Sequence, residues 1–238
     1  MKLFTNQKIG VRLNIVFSIL VVLVVASLGI FSYFNSKGRI IDNTDQRMNE
    51  QLVDLEDLIE LQLFKSEEQL GHAINTAKTM LGNRKIELSS QETTSLNATN
   101  HLTGATQQIQ LPTLMIDSVA VYRNNDFVDR VKANAGGTST VLQKFEDGYV
   151  SISSNVMLPN GERAIGTYIP MSDEIAQTIS AGNRFQGRAF IIDQYYFTIY
   201  DPIKIDGEVV GMLFVGIPEK DMGYLKGIFA SKVFYENG

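Results

Sequence analysis

The stretch that decides the fold is Ala181–Pro218, which reads AGNRFQGRAFIIDQYYFTIYDPIKIDGEVVGMLFVGIP. It holds three apolar runs, which are Ala189–Ile192, Tyr195–Tyr200 and Val209–Ile217. β-Branched and aromatic residues dominate these runs and turn-type residues separate them, which favours strands over helices. Asp206-Gly207 between two such runs is a strong hairpin signal. The stretch therefore predicts an antiparallel sheet with one face rich in aromatic side chains.

The same stretch and the segment before it carry the pattern of a known family. Its residues follow the form aGxxFxGxAxxxxxYxTxYxPIxxxGxVxGMLxVGIP. Upstream, VKANAGGTSTVLQKFEDGYVSISSNVMLPNGERAIGTYIP contains Gly-Gly, Asp-Gly and NGxRAIGT blocks in that family's order. Residues 131–218 therefore resemble the Cache sensor domains of bacterial transmembrane receptors, in particular the fused Cache 3/Cache 2 type. The resemblance implies a PAS-like α+β fold outside the cytoplasm that binds a ligand and catalyses nothing.

An uncharged apolar run, Leu13–Phe34, lies near the N-terminus and reads LNIVFSILVVLVVASLGIFSYF. It is long enough to cross a hydrocarbon core of about 30 Å, and it exceeds the ~7–15 residues of a signal-peptide core. We interpret it as an uncleaved transmembrane helix, with a cleaved signal peptide as the alternative. The basic residues Lys2, Lys8 and Arg12 before it predict a cytoplasmic N-terminus. The remaining chain is then expected outside the inner membrane of a bacterium.

A long amphipathic helix is predicted from Ile41 to Leu81. Its apolar residues fall at positions 41, 48, 52, 55, 59, 63, 70, 74, 77 and 81, which keeps them on one face. A helix this long can leave the membrane and pair with a copy of itself, so the sequence predicts a homodimer. Its acidic residues are interpreted as a solvated face, because a cation site built from Asp54, Asp57 and Glu60 lacks a loop with oxygen-ligand spacing.

Four segments follow from these patterns. They are residues 1–12, the cytoplasmic N-terminus; residues 13–34, the transmembrane helix; residues 35–110, the long helix with a polar connector; and residues 111–238, the sensor sheet. The polar connector between Gly82 and Ile109 predicts broken helical packing. Within the sheet segment, Phe127–Val131 and Glu162–Ile169 are predicted as strands and Glu174–Ser180 as a short helix. The fold class is α+β, with the long helix packed on a PAS-like antiparallel sheet as a single Cache domain.

Composition argues against several classes of function. The 238 residues include 21 Lys and Arg against 26 Asp and Glu, and this net charge of −5 argues against binding to nucleic acid. The absence of cysteine excludes disulfides, thiolate nucleophiles and cysteine-based zinc sites. His72 and His101 are the only histidines and lie far apart, so histidine-centred catalysis is not expected. We therefore predict no enzyme activity, no metal and no cofactor.

Arginines and tyrosines of the predicted sheet form the candidate ligand site. They are Arg163, Tyr168, Arg184, Arg188, Tyr196 and Tyr200. Arginine offers a planar fork to carboxylates, and tyrosine offers a ring with a hydroxyl, so such a pocket suits a small organic acid or similar polar metabolite. Structural roles compete, because Tyr196 and Tyr200 share one strand face and can form core, and Arg163 can cap the turn at Asn160-Gly161.

These features predict the ligand-sensing part of a bacterial transmembrane chemoreceptor of the methyl-accepting type, which passes its signal through the membrane helix. The sensor part of a histidine kinase or diguanylate cyclase is the nearest alternative. Because family members usually continue into a second membrane helix and a cytoplasmic module, this chain is expected either to be the N-terminal part of a longer receptor or to stop early. A pilin-like structural subunit is disfavoured because Gly10 is followed by Arg12 and no nearby Glu. A membrane-tethered hydrolase lacks a nucleophile-base pair.

Overall fold

The computed structural model describes residues 9–82 and 84–221, without the side chains of residues 12, 38–45 and 221. Residues 1–8 of the predicted cytoplasmic segment and residues 222–238 of the predicted sensor segment lie outside the described residues. The chain divides into two units, residues 1–60 and residues 61–238, and each is described by itself.

One helix, α1 (Ile9–Gly82), contains both the apolar run Leu13–Phe34 and the amphipathic segment predicted from Ile41 to Leu81. The prediction of a long helix is therefore confirmed. Its portion Ile9–Lys37 is the one span among the described residues that is long and apolar enough to cross a membrane. Large apolar side chains of the first unit are exposed along this span, as they would be in a lipid environment.

The second unit contains a nine-stranded sheet in its described residues. The strands are β1 (Ile86–Asn100), β2 (Thr106–Ile116), β3 (Val119–Ala120), β4 (Thr138–Phe145), β5 (Gly148–Ser154), β6 (Thr167–Pro170), β7 (Phe185–Ile191), β8 (Gln194–Ile205) and β9 (Glu208–Pro218). Their order is β3-β2-β1-β6-β5-β4-β9-β8-β7. Neighbouring strands are antiparallel except β1 and β6, which pair in parallel at Thr99 and Asn100. The sheet is thus mixed, which corrects the prediction of an antiparallel sheet.

Helices cover both faces of this sheet. The C-terminal part of α1 and α2 (Asp126–Ala135) pack on one face, and α3 (Glu174–Ser180) packs on the other. Alternation along β9 sends Leu213 and Val215 into the first core and Met212 and Phe214 into the second. We call these the α1 face and the α3 face. The α+β class is confirmed, while the PAS-like packing, the single domain and the four segment boundaries stay predictions.

The hairpins of the C-terminal half form where the turn residues indicated them. Asp206 and Gly207 join β8 to β9 with positive φ angles of 50° and 88°, as a two-residue hairpin turn requires. Residues Glu146 and Asp147 join β4 to β5, and Gly148 begins β5. The short helix is also confirmed, and it begins where the Asp173 side chain accepts a hydrogen bond from the Ile175 amide.

The polar connector was predicted wrongly. The residues between Gly82 and Ile109 form β1 and the start of β2, not broken helical packing. In the second half of β1, only Thr94, Leu96 and Ala98 turn inward, at every second position. The intervening residues are polar and exposed, so the apolar signal of this strand is too weak to read from composition.

Two shorter strand predictions were also wrong. Phe127–Val131 belongs to α2, because Phe127, Val128 and Val131 bury one side of a helical turn. Within Glu162–Ile169, strand β6 begins only at Thr167, and Arg163 contributes a single isolated bridge to Met157.

Candidate ligand-binding site

A cavity of about 280 Å³ lies on the α3 face of the sheet. Most of its wall is apolar and includes Leu142, Val156, Ile169, Ile175, Ala189 and Phe214. The turn between β1 and β2 contributes the rim, and the turn between β7 and β8 contributes Ile192. The volume is close to the lower end of the ~300–1,000 Å³ range of small-molecule pockets, so the cavity suits a compact ligand.

Hydroxyl groups interrupt this apolar wall. Thr140 of β4, Ser151 and Ser154 of β5, and Tyr200 of β8 all line the cavity. The Thr140 and Ser154 oxygens lie 2.7 Å apart and share a hydrogen bond. The Ser151 Oγ is buried and has no hydrogen-bond partner among the described residues. The site therefore contains polar groups that protein atoms do not fully satisfy.

The rim is held by a polar network. Asn100 Nδ2 donates to the Tyr168 hydroxyl at 3.2 Å, and the His101 amide donates to the Tyr168 carbonyl at 3.1 Å. The His101 Nε2 lies 3.6 Å from Asp173 Oδ2. This contact joins the β1–β2 turn to the carboxylate that caps α3. The rim is thus tied to the helix that covers the cavity.

Two groups at this site have shifted pKa values. The hydrogen bond from His101 lowers the pKa of the Asp173 carboxyl, against an opposing effect of burial, and the Ile175 amide adds to the lowering. Burial strongly raises the pKa of the Tyr200 phenol, and the nearby charge of Asp173 raises it further. Asp173 therefore stays ionised, while Tyr200 stays protonated and able to donate.

The predicted tyrosines lie at or beside this cavity. Tyr168 and Tyr200 line it. Tyr196 is buried on the same face as Tyr200, and its ring meets the Phe214 ring edge-on at 6.4 Å. Tyr168 also packs edge-on against Phe145, with ring centroids 5.1 Å apart. The structure thus places Tyr168 and Tyr200 in the cavity wall and Tyr196 in the core of the α3 face.

The predicted arginines lie elsewhere, and each contacts a carboxylate of the chain. Arg163 forms a bidentate pair with Asp129, at 2.9 Å for both nitrogens, and also donates to the Ser154 carbonyl. Arg184 Nε donates to Asp201 at 2.8 Å. Arg188 pairs with Glu219, and its guanidinium lies 3.5 Å from the Tyr195 ring centroid. None of the three is among the described residues that line the cavity.

The polar lining residues that the sequence analysis did not assign to the site include Thr140, Ser151, Ser154 and His101. One signal exists for the serines, because every residue of β5 is buried although three of them are serines. A buried strand rich in hydroxyls is unusual enough to indicate a polar site inside the fold. The sequence does not reveal that burial, since it depends on β4 and β6 as neighbours.

A second cavity, of about 380 Å³, lies beside the end of α1 on the α1 face. Lys78, Lys204 and Asp201 are among its charged lining residues. The Lys78 amine lies 3.1 Å from Asp201 Oδ1, and the Lys204 amine donates to the Gly182 carbonyl at 3.3 Å. Because these charged groups already have partners, this cavity is the weaker candidate for a ligand.

Comparison with known proteins extends the resemblance noted in the sequence. A search of curated proteins finds no match. The family model of the Cache 3/Cache 2 fusion domain matches residues 34–238, which covers the C-terminal part of α1 and the whole sheet with its cavity. Cache domains are sensory modules that bind small molecules and do not catalyse reactions. The chain therefore belongs to the Cache 3/Cache 2 fusion domain family.

Proposed function

We propose that this chain is the extracytoplasmic ligand-sensing part of a bacterial transmembrane chemoreceptor, and that the cavity on the α3 face holds its ligand. The observation that carries the proposal is a cavity with an unsatisfied buried hydroxyl, that of Ser151, inside a Cache domain that follows a membrane-length helix. Binding, not catalysis, is the expected activity. Sensors of histidine kinases and diguanylate cyclases remain the alternative, because the same domain would serve any of these outputs.

A route from the cavity to α1 supports a signalling role. Tyr200 lines the cavity, and the next residue, Asp201, faces the opposite side of β8. There it accepts a hydrogen bond from Lys78 of α1 and pairs with Arg184. A ligand that favours one arrangement of β8 would therefore bias the contact with α1. We propose that this bias is passed along α1 into its apolar span.

A small organic acid, the ligand class predicted from the arginines, stays a prediction. Its support is that the cavity lies beside Arg163, which contacts the Ser154 carbonyl. The guanidinium groups of Arg163, Arg184 and Arg188 nevertheless contact Asp129, Asp201 and Glu219. An acid that bound one of them would have to displace a carboxylate of the chain.

Ligand binding is tested by thermal unfolding of the full chain in lipid nanodiscs with a library of small metabolites. A ligand at a hundredfold excess over Kd stabilises the folded state by about 2.7 kcal/mol. We expect a melting shift of several degrees for the compounds that bind, because a unit of this size shifts by ~2–4 °C per kcal/mol. A broad library that produces no shift would contradict the sensing function.

The membrane topology predicts where a reporter is active. A reporter fused after Gly238 should be active outside the cytoplasm, because the basic residues Lys2, Lys8 and Arg12 favour a cytoplasmic N-terminus. Paired fusions of alkaline phosphatase and of β-galactosidase report whether the fusion point lies outside or inside the cytoplasm. High β-galactosidase with no phosphatase activity would place the sensor domain in the cytoplasm and exclude the proposal.

The proposed homodimer predicts a position-dependent cross-link along α1. Met48, Leu52 and Ile59 are 55%, 60% and 41% exposed, which is consistent with a partner helix at these positions. The chain has no natural cysteine, so each variant carries a single thiol. Leu52→Cys should cross-link in membranes under mild oxidation, and Glu56→Cys should not.

Non-reducing gels of the two variants, together with Leu55→Cys and Asp57→Cys, report the yield of covalent dimer. Leu55 belongs to the same predicted face as Leu52, and Asp57 lies off it. Equal yields at all four positions would show that α1 has no defined face that contacts a partner helix.

A further inference from the structure

We infer that the ligand of the α3-face cavity is an uncharged molecule with an apolar body and a hydrogen-bond acceptor, and that the Ser151 hydroxyl donates to this acceptor. The inference rests on the proposed function, since it names the ligand class of the same cavity. It differs from the organic acid expected from the arginines.

The first observation is a buried hydroxyl without a partner. Ser151 is 2% exposed, and its Oγ has no hydrogen-bond partner in the described part of the chain. Native proteins satisfy nearly all buried polar groups, because an unpaired group loses its water without compensation. Ser151 lines the cavity, so a bound molecule can supply the missing acceptor.

A second donor follows from counting protons. The Val156 amide donates to Ser154 Oγ at 3.1 Å, and Ser154 Oγ shares one hydrogen bond with Thr140 Oγ1. Each hydroxyl carries one proton, and their shared contact uses only one of them. Whichever hydroxyl donates, the other retains an unused proton, and both residues line the cavity. An acceptor on the ligand can take up such a proton.

The second observation is the charge at the cavity. His101 is the one lining residue, among those described, that can carry a positive charge, and its Nε2 already lies 3.6 Å from Asp173. Burial and, to a lesser extent, the Asp173 carboxylate raise the pKa of the Tyr200 phenol, so this part of the cavity disfavours negative charge. An anionic ligand would meet the same repulsion and would lose its hydration without gaining a counter-ion. An uncharged acceptor avoids both costs.

The third observation is the apolar wall and its size. The wall residues Leu142, Ile175 and Phe214 contribute no polar side-chain atoms. A volume of about 280 Å³ holds roughly nine groups of the size of a water molecule, at ~30 Å³ each. A compact ring or branched chain with a single carbonyl matches this shape. Its apolar body would replace water along the wall and its oxygen would face the hydroxyls.

The test uses three probes of nearly equal size: acetophenone, which has an acceptor and no charge; α-methylstyrene, which replaces the acceptor oxygen by carbon; and benzoate, which is an anion. Equilibrium dialysis against the full chain in lipid nanodiscs measures each Kd, with empty nanodiscs as the blank for partitioning into lipid. We expect acetophenone to bind at least tenfold more tightly than benzoate. Loss of the acceptor in α-methylstyrene should weaken binding about 2- to 10-fold, as expected for a neutral hydrogen bond.

The variant Ser151→Ala should weaken acetophenone binding about 2- to 10-fold and leave α-methylstyrene unchanged. Ser139→Ala is the matched control, because the Ser139 Oγ is also buried without a partner but Ser139 does not line the cavity. This control should not change the binding of acetophenone.

Each other result has a distinct meaning. If no probe binds above the blank, the cavity is not a ligand site, and the proposed function fails together with the inference. If benzoate binds most tightly, the cavity binds ligands and the inferred ligand class is wrong. If acetophenone binds most tightly but Ser151→Ala has no effect, the ligand class stands and the Ser151 hydroxyl is not its donor, which overturns the inference as stated.

Discussion

Leu70→Ala is expected to lower the free energy of unfolding of the sensor unit by about 2–5 kcal/mol. Leu70 is 2% exposed and belongs to the core on the α1 face, together with Ile74 and Ala77 of the same helix. Truncation removes buried methyl groups and leaves a space that the strands of the sheet cannot close, because they are held by their ladders. Chemical denaturation of the full chain in detergent, followed by circular dichroism, measures the change.

Leu61→Ala is the matched control for this prediction. It makes the same change in the same helix, but Leu61 is 49% exposed. Alanine also has the higher helix propensity, so the control should change stability by less than about 1 kcal/mol. If the two variants lose equal stability, then α1 does not pack on the sheet through Leu70, and the described core on this face is wrong.

Gly166→Ala is expected to lower the free energy of unfolding by about 2–5 kcal/mol. Gly166 has φ +88°, where an alanine costs ~1–2 kcal/mol, and an added Cβ would lie 2.6 Å from the Asn97 carbonyl oxygen. The same residue joins β5 to β1, because its amide donates to Ser151 and its carbonyl accepts from the Thr99 amide. A shift of this segment would therefore also disturb the cavity floor. Denaturation and probe binding on the same variant measure both effects.

Gly161→Ala separates the cost of the positive φ angle from the cost of the steric clash. Gly161 has φ +84°, close to that of Gly166, yet an added Cβ would meet no atom within 4 Å. We expect only the backbone cost of ~1–2 kcal/mol at this position. The difference between the two variants then measures the steric clash with Asn97. A zero difference would mean that β1 and the Gly166 segment do not approach each other as described.

Local signals in the sequence accounted for the C-terminal hairpins and the long helix. Asp206-Gly207 adopts the positive φ angles that a two-residue hairpin needs, and few other residue pairs do so at low cost. The helix over Ile41–Leu81 follows from a periodicity that α1 uses to bury Leu70, Ile74 and Ala77. The several family blocks between residues 131 and 218 were enough to identify the Cache family, which the family model then extended to residues 34–238.

Non-local pairing explains the predictions that were wrong. β1 carries a continuous polar stretch from Ser89 to Ser95 and becomes a strand only because β2 pairs along it, as Leu96 opposite Ile109 shows. The segment Phe127–Val131 has an apolar pattern short enough to fit a strand or a helix, and its packing on β4 decides for the helix. For a short segment of ambiguous pattern, packing against neighbouring elements decides between helix and strand.

The residue types of the candidate site were predictable in part, but their positions were not. Arginine chemistry suggested an acid-binding pocket, yet Arg163 and Arg184 lie against Asp129 and Asp201, more than fifteen residues away in the chain. Of the six predicted residues, the structure places Tyr168 and Tyr200 in the cavity wall. Whether any of the six contacts a ligand stays a prediction.

The sequence by itself determined the membrane-length helix, the turns and the family, because each of these depends on residues close together in the chain. Only the tertiary structure decided which side chains surround the cavity. Ser151 and Tyr200 lie on different strands, and the sheet order β5-β4-β9-β8 separates those strands by two others. Their shared face arises from strand register, which long-range hydrogen bonds and core packing set together and which no local pattern encodes.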